Sequence, residues 1–197
     1  MSIEQIDQGR KIILKTVEEL LEDAILLFKN ERFARAYTIS HLAFEEIAKI
    51  LMLAQAAEKI NQEPDYNWDR VLEELRNHRP KLLQSINFNP EHERAFEKLT
   101  GFKFNQVNRI TTSMNRMKNE SLYTSIKNGV FNSPSQVISK EKANIMYEIA
   151  KLTYDFIKSY EKNVKDNYAY NISDEEFFEF LQHMEYLDVY ELLDEHN

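Results

Sequence analysis

Apolar residues recur at helical spacing along most of this chain. Ile3, Ile6, Ile13, Val17, Leu20, Leu21, Ala24 and Phe28 predict a first helix over about 3–29. A second follows over about 31–60, and the polar run around Pro64 ends it, because proline cannot continue a helix. Trp68 to about Arg76 reads as a short helix. The chain then bends at Asn77–Arg79, since a residue before proline, here Arg79 before Pro80, is pushed out of helical geometry. Asn89 and Pro90 open another short helix that Gly101 stops. A third long helix spans about 104–123, with Phe104, Val107, Ile110, Met114, Met117 and Ser121 along one side. Asn128–Gly129 and Ser133–Pro134 mark an irregular excursion. A fourth long helix runs from near Ser139 to about Val164 on a stripe of Ile145, Ile149, Leu152, Phe156 and Tyr160. Ser173 and Glu176 form the capping box of a last helix over about 174–194. The expected fold is therefore all-α: a helical bundle of four long helices with short inserted helices and an acidic C-terminal helix.

The second helix breaks its own pattern. From Ala36 to Ala57 it is nearly all apolar, and its only charges are Glu45, Glu46 and Lys49. Charges in a core helix cost several kcal/mol, about 3–5, unless each finds a partner. At about 100° per residue, Thr38, His41, Glu45 and Lys49 share one narrow stripe, and Glu46 reaches Lys49 at i+3. Such a stripe either fixes helix register through an internal ion pair or lines a site, with Lys49 holding an anion or Glu45 acting as base.

Composition narrows the options. The chain has 197 residues, three Gly, four Pro and no Cys. That excludes disulfides, thiolate metal sites and a cysteine nucleophile, and three isolated glycines make no phosphate loop. No Glu-x-x-His motif of the di-metal bundles occurs, so no metal and no cofactor are expected. The first residues lack a signal-peptide core and no apolar run is long enough to span a bilayer, so no membrane association and a cytoplasmic location are expected. Net charge is −8, but residues 171–197 hold nine acids and no Lys or Arg. The first 170 residues then carry 24 acids (33 less the tail's nine) against 25 bases. We therefore divide the chain into a bundle, 1–170, and an acidic amphipathic appendage, 171–197; the near-neutral bundle leaves RNA open as a partner. The appendage carries Phe177, Phe178, Phe180, Leu181, Met184, Tyr186, Leu187, Tyr190 and Leu193, an apolar face expected to dock on the body or on a partner.

Two further segments carry candidate chemistry. His78 and Lys81 flank the Pro80 bend and point away from regular helix. Arg116, Lys118, Asn119 and Tyr123 sit close together near the end of the third long helix, where cations neutralise a phosphodiester and Asn and Tyr donate hydrogen bonds. For both, the plainer reading is a helix terminus with favourably placed cations. A literal Arg-x5-His string, Arg35 to His41, is set aside: six residues on a helix leave the two side chains roughly 120° apart.

The segment LAFEEIAKIL, then W-x9-H-x2-K from Trp68 through His78 to Lys81, then KNESLY followed by a turn and Ser133–Pro134, resembles the AbiV-type abortive infection proteins of bacteria. The resemblance covers roughly residues 10–160 and leaves out the acidic tail. It implies a phage-defence effector that arrests growth or protein synthesis of the infected cell, and a place among the HEPN helical bundles. Many of those are dimeric, metal-independent ribonucleases in which Arg holds the scissile phosphate and His helps activate the 2′-hydroxyl. The residue patterns and the resemblance together give Glu45, Lys49, His78, Lys118 and Tyr123 as catalytic candidates, Lys81, Arg116 and Asn119 as phosphate-binding ones, and Glu46 as a structural partner. Lys118-Asn119-x-x-x-Tyr123 matches the family's Arg-Asn-x-x-x-His only with Lys for Arg and Tyr for His, and a tyrosine hydroxyl is a weak general base at neutral pH. The expected partners are a second copy of the chain, RNA or the translation machinery, and a phage-encoded trigger, with no role for DNA. The alternative is a non-catalytic helical module that binds a phage or host protein.

Overall fold

The computed structural model describes residues 2–62, 68–76 and 107–161, with single helical positions at Glu179 and Gln182. Helix α1, Ile3–Lys29, opens on a capping box: the Ser2 hydroxyl accepts from the Gln5 amide, and the Gln5 side chain accepts from the Ser2 amide. Its C-terminus closes in a Schellman motif. Arg32 N–H donates to Leu27 O and Glu31 N–H to Phe28 O, at 2.9 and 3.0 Å. That motif puts Glu31 at φ 58, in the left-handed region where glycine is usual. The chain reverses in three residues and enters α2, Phe33–Gln62.

Helix α2 is the centre of the bundle. Ala36, Tyr37, Ala43, Phe44, Ile47, Ala48, Ile50, Leu53 and Ala57 are all buried, on every side of the helix. A helix that is apolar all round belongs in the interior. It touches α1, the short α3 (Trp68–Arg76), and the later helices α4 (Val107–Leu122), α5 (Pro134–Val137) and α6 (Lys140–Glu161). Many of its contact positions are alanine, which lets neighbouring backbones approach closely.

The four long helices alternate in direction. Thr38 meets Ser121 and Glu45 meets Lys118, so α4 runs antiparallel to α2. Arg10 meets Glu161 and Glu18 meets Lys158, so α6 runs back along α1. Their common core includes Val17, Leu21, Phe44, Ile47, Met114, Met117, Met146, Ile149 and Ile157. On α6 the buried face is broader than the expected stripe: Met146, Ala150, Thr153, Tyr154 and Ile157 are inside with Ile145, Ile149 and Tyr160, while Leu152 and Phe156 are only partly covered. The Ser139 hydroxyl accepts from the Lys142 amide and starts this helix.

The excursion after α4 is a small β-hairpin, β1 (Ser125–Lys127) against β2 (Val130–Asn132), with Ile126 opposite Phe131. Asn128 and Gly129, at φ 52 and 77, make the two-residue turn that matches strand twist. The hairpin is turned outward: Ser125 and Asn132 are partly covered, whereas Ile126, Val130 and Phe131 are each exposed by more than 60 %. The predicted helix at Asn89–Gly101, the bend at Asn77–Arg79 and the acidic tail, with the boundary at 170, lie outside the described residues.

Candidate functional site

Glu45 finds its partner in a polar seam between α2 and α4. At its inner end Lys118 Nζ donates to Glu45 Oε1 at 2.9 Å, with both side chains more than nine-tenths buried. The His41 Nδ1 atom lies 3.5 Å from the same carboxylate oxygen, and His41 is fully buried. One turn outward, Thr38 Oγ1 and Ser121 Oγ lie 2.6 Å apart. Thr38 is also 3.1 Å from Ala34 O and Ser121 2.6 Å from Lys118 O. Three contacts share two hydroxyl hydrogens, so at most two of them are satisfied at once. At the outer end, Arg35 Nη1 reaches Leu122 O at 3.5 Å, in the open.

On the neighbouring face of α2 the Tyr37 hydroxyl donates to Met114 O at 3.4 Å. Burial pushes this hydroxyl well above the usual tyrosine range; the Arg116 charge works against that shift and the Glu120 charge with it. Arg116 itself reaches Ser113 Oγ at 3.4 Å and is partly buried.

The seam distributes the sequence candidates over three environments. Glu45 and Lys118 are closed into a buried pair, to which the sequence stripe added Thr38 and His41. Lys49 does not join them: its ammonium pairs with Glu46 at i+3, both about a quarter exposed (24 % and 25 %). Asn119 and Tyr123 stand in solvent, Tyr123 being 67 % exposed. His78 and Lys81 lie outside the described residues. A single cleft holding Glu45, Lys49, Lys118 and Tyr123 together is therefore not what these four form. Among the described residues no group of three or more His, Asp or Glu is placed to hold a metal ion. No described helix is long and apolar enough to cross a membrane.

Three participants were not legible. Arg35 was set aside with the Arg-x5-His string; the structure indeed separates it from His41, one exposed and one buried, but puts it at the mouth of the seam. Ser121 reads as part of an apolar stripe. Arg10, on the apolar side of α1, is fully buried and donates from Nε to Glu161 Oε1 at 3.1 Å. For Ser121 and Arg10 the signal is a polar residue at a core spacing, which only a facing partner on another helix makes intelligible; Arg35 is exposed and gives no such signal.

The HEPN-class family model described as AbiV matches residues 5–155, from the first helix nearly to the end of α6 and across the whole seam. No curated protein and no solved structure matches the chain at a significant level.

Proposed function

The chain belongs to the AbiV family, a family of abortive infection in phage defence, and on that premise we propose that it halts the infected cell by acting on RNA or the translation machinery. The observation that carries this reading is the outer end of the seam. There the KNESLY segment ends with Asn119 and Tyr123 in solvent, next to a cation on α2. Amide, phenol and guanidinium are groups that hold a phosphodiester. In this reading the Glu45–Lys118 pair props α4 against α2 and sets the height at which Asn119 and Tyr123 emerge. His78 and Lys81 remain proposed contributors from the segment that follows α3. The test incubates the purified protein with tRNA and rRNA, with and without extract of infected cells. Cleavage in either arm identifies a ribonuclease. Intact RNA in both, with translation nonetheless arrested on addition, makes it a binder of the machinery. Intact RNA and unimpeded translation remove the reading.

One observation favours a second reading, a module that works by protein contact. The hairpin shows solvent its apolar cross-strand pair, Ile126 and Phe131, and Val130 and Tyr123 are exposed as well. Hairpins usually turn that face to the core. The reading predicts that Ile126→Ser with Phe131→Ser abolishes phage protection at unchanged melting temperature. Sedimentation then names the occupant: loss of a dimer on substitution makes it a second copy of the chain. Full protection by the double variant dismisses this reading.

A further inference from the structure

We propose that Arg35 is the anion-binding residue of the outer seam, where with Asn119 and Tyr123 it takes a phosphodiester of single-stranded RNA. The inference rests on the RNA reading above and assigns its cation to a different helix from the one the motif indicates.

The first step is an elimination. Lys118 is the basic residue of the KNESLY segment, yet its ammonium is buried against Glu45. Withdrawing it toward a surface anion would strand the Glu45 carboxylate in the interior, which proteins do not tolerate cheaply. An anion arriving at Asn119 and Tyr123 needs another positive charge.

Arg35 meets that need by position. It lies in the first turn of α2, and its Nη1 touches the carbonyl of Leu122, the peptide unit that leads directly into Tyr123. The plainer role is a cap: the last turn of α4 has no basic residue, and a guanidinium there satisfies a terminal carbonyl. That role occupies one of five N–H donors, at the outer limit of hydrogen-bond length. Among the described residues Arg35 makes no ion pair, although Glu31 lies four residues before it, and the first turn of α2 holds no acid. Arg35 is exposed, as are Asn119 and Tyr123. A planar two-donor fork fits two phosphate oxygens. The open tyrosine ring offers a face on which an unpaired base stacks, which selects a single strand over a duplex.

The experiment measures anisotropy of a labelled ten-nucleotide single-stranded RNA of mixed sequence, titrated with the full chain. Arg35→Gln is expected to weaken binding at least about tenfold, and to lower the slope of log affinity against log salt by about 0.7. Arg35→Lys keeps the charge without the fork and falls between. Tyr123→Phe keeps the stack and Tyr123→Ala loses it. Arg32→Gln, also exposed and three residues earlier, just before α2, stays within about twofold, and all variants melt with the wild type. Equal affinity of wild type and Arg35→Gln, or an equal loss in Arg32→Gln, overturns the assignment. If the wild type does not bind this RNA but cuts tRNA in infected-cell extract, Arg35 is wrong and the RNA reading stands. If it neither binds nor cuts, both fall.

Discussion

Replacing Lys118 by Met tests whether the seam is the structural hinge of this bundle. Methionine approximates the length and volume of the lysine stem, so packing against α2 is preserved and only the ammonium is lost. What remains is Glu45, about 3 % exposed, with its Oε1 oxygen deprived of the donor at 2.9 Å. Breaking a buried pair on one side costs about 3–5 kcal/mol. For a chain of this size, each kcal/mol lowers the melting temperature by about 2–4 °C, so the expected loss is about 6–20 °C. The companion variant Glu45→Leu with Lys118→Met removes both charges and is expected to recover most of the loss. A thermal denaturation series of wild type, the two single variants and the double variant forms a closed cycle, with an expected coupling of at least about 2 kcal/mol. A Lys118→Met protein that melts within about 3 °C of wild type, with additive single effects, would refute the reasoning. Phage challenge on the same four proteins separates the two roles. If the double variant folds and protects, the pair only holds the helices together; if it folds and fails, the pair also sets the position of Asn119 and Tyr123 at the outer end of the seam.

Three other outcomes follow from the packing. Glu31→Gly relieves the left-handed backbone at φ 58 and is expected to stabilise by about 1 kcal/mol, read as a melting rise of about 2–4 °C. Above the ordinary tyrosine value of 10.0, the unfolded chain ionises Tyr37 and the folded chain does not. The folded state then binds the extra proton, so stability falls with rising pH, by about 1.4 kcal/mol per pH unit, and Tyr37→Phe flattens the decline in urea titrations between pH 9 and about 11. Below that value the group is protonated in both states and contributes no slope. Arg10→Met is expected to cost about 2 kcal/mol, less than Lys118→Met, because Glu161 is 16 % exposed and can recover water; a larger loss than at Lys118 would reverse the ranking of the two pairs.

Much of the bundle was legible because its signals are local. The spacing of Ile6, Val17, Leu21 and Ala24 marks α1, and the helix expected from near Ser139 is α6, since apolar periods act within a turn or two of chain. The hairpin was half legible. Asn128–Gly129 marks a turn, but three-residue strands are too short to show an alternating pattern, and their outward apolar face runs against the usual rule. The site was least legible. Thr38, His41, Glu45 and Lys49 share a stripe in sequence, yet Lys49 leaves it for Glu46, and Glu45 takes Lys118 from 73 residues away.

The sequence alone therefore determined the long helices α1, α2, α4 and α6, that α2 is interior, and that its charges need partners. Those follow from periodicity, propensity and the cost of desolvating a charge, none of which depends on another part of the chain. The Glu46–Lys49 pair was readable at i+3; only the tertiary structure decided that Glu45 takes Lys118, and which polar groups the seam buries and which it leaves in water. Antiparallel packing of α4 on α2 sets that choice: it brings Lys118 to Glu45 in the interior and, a turn further out, leaves Arg35 in the open beside Tyr123.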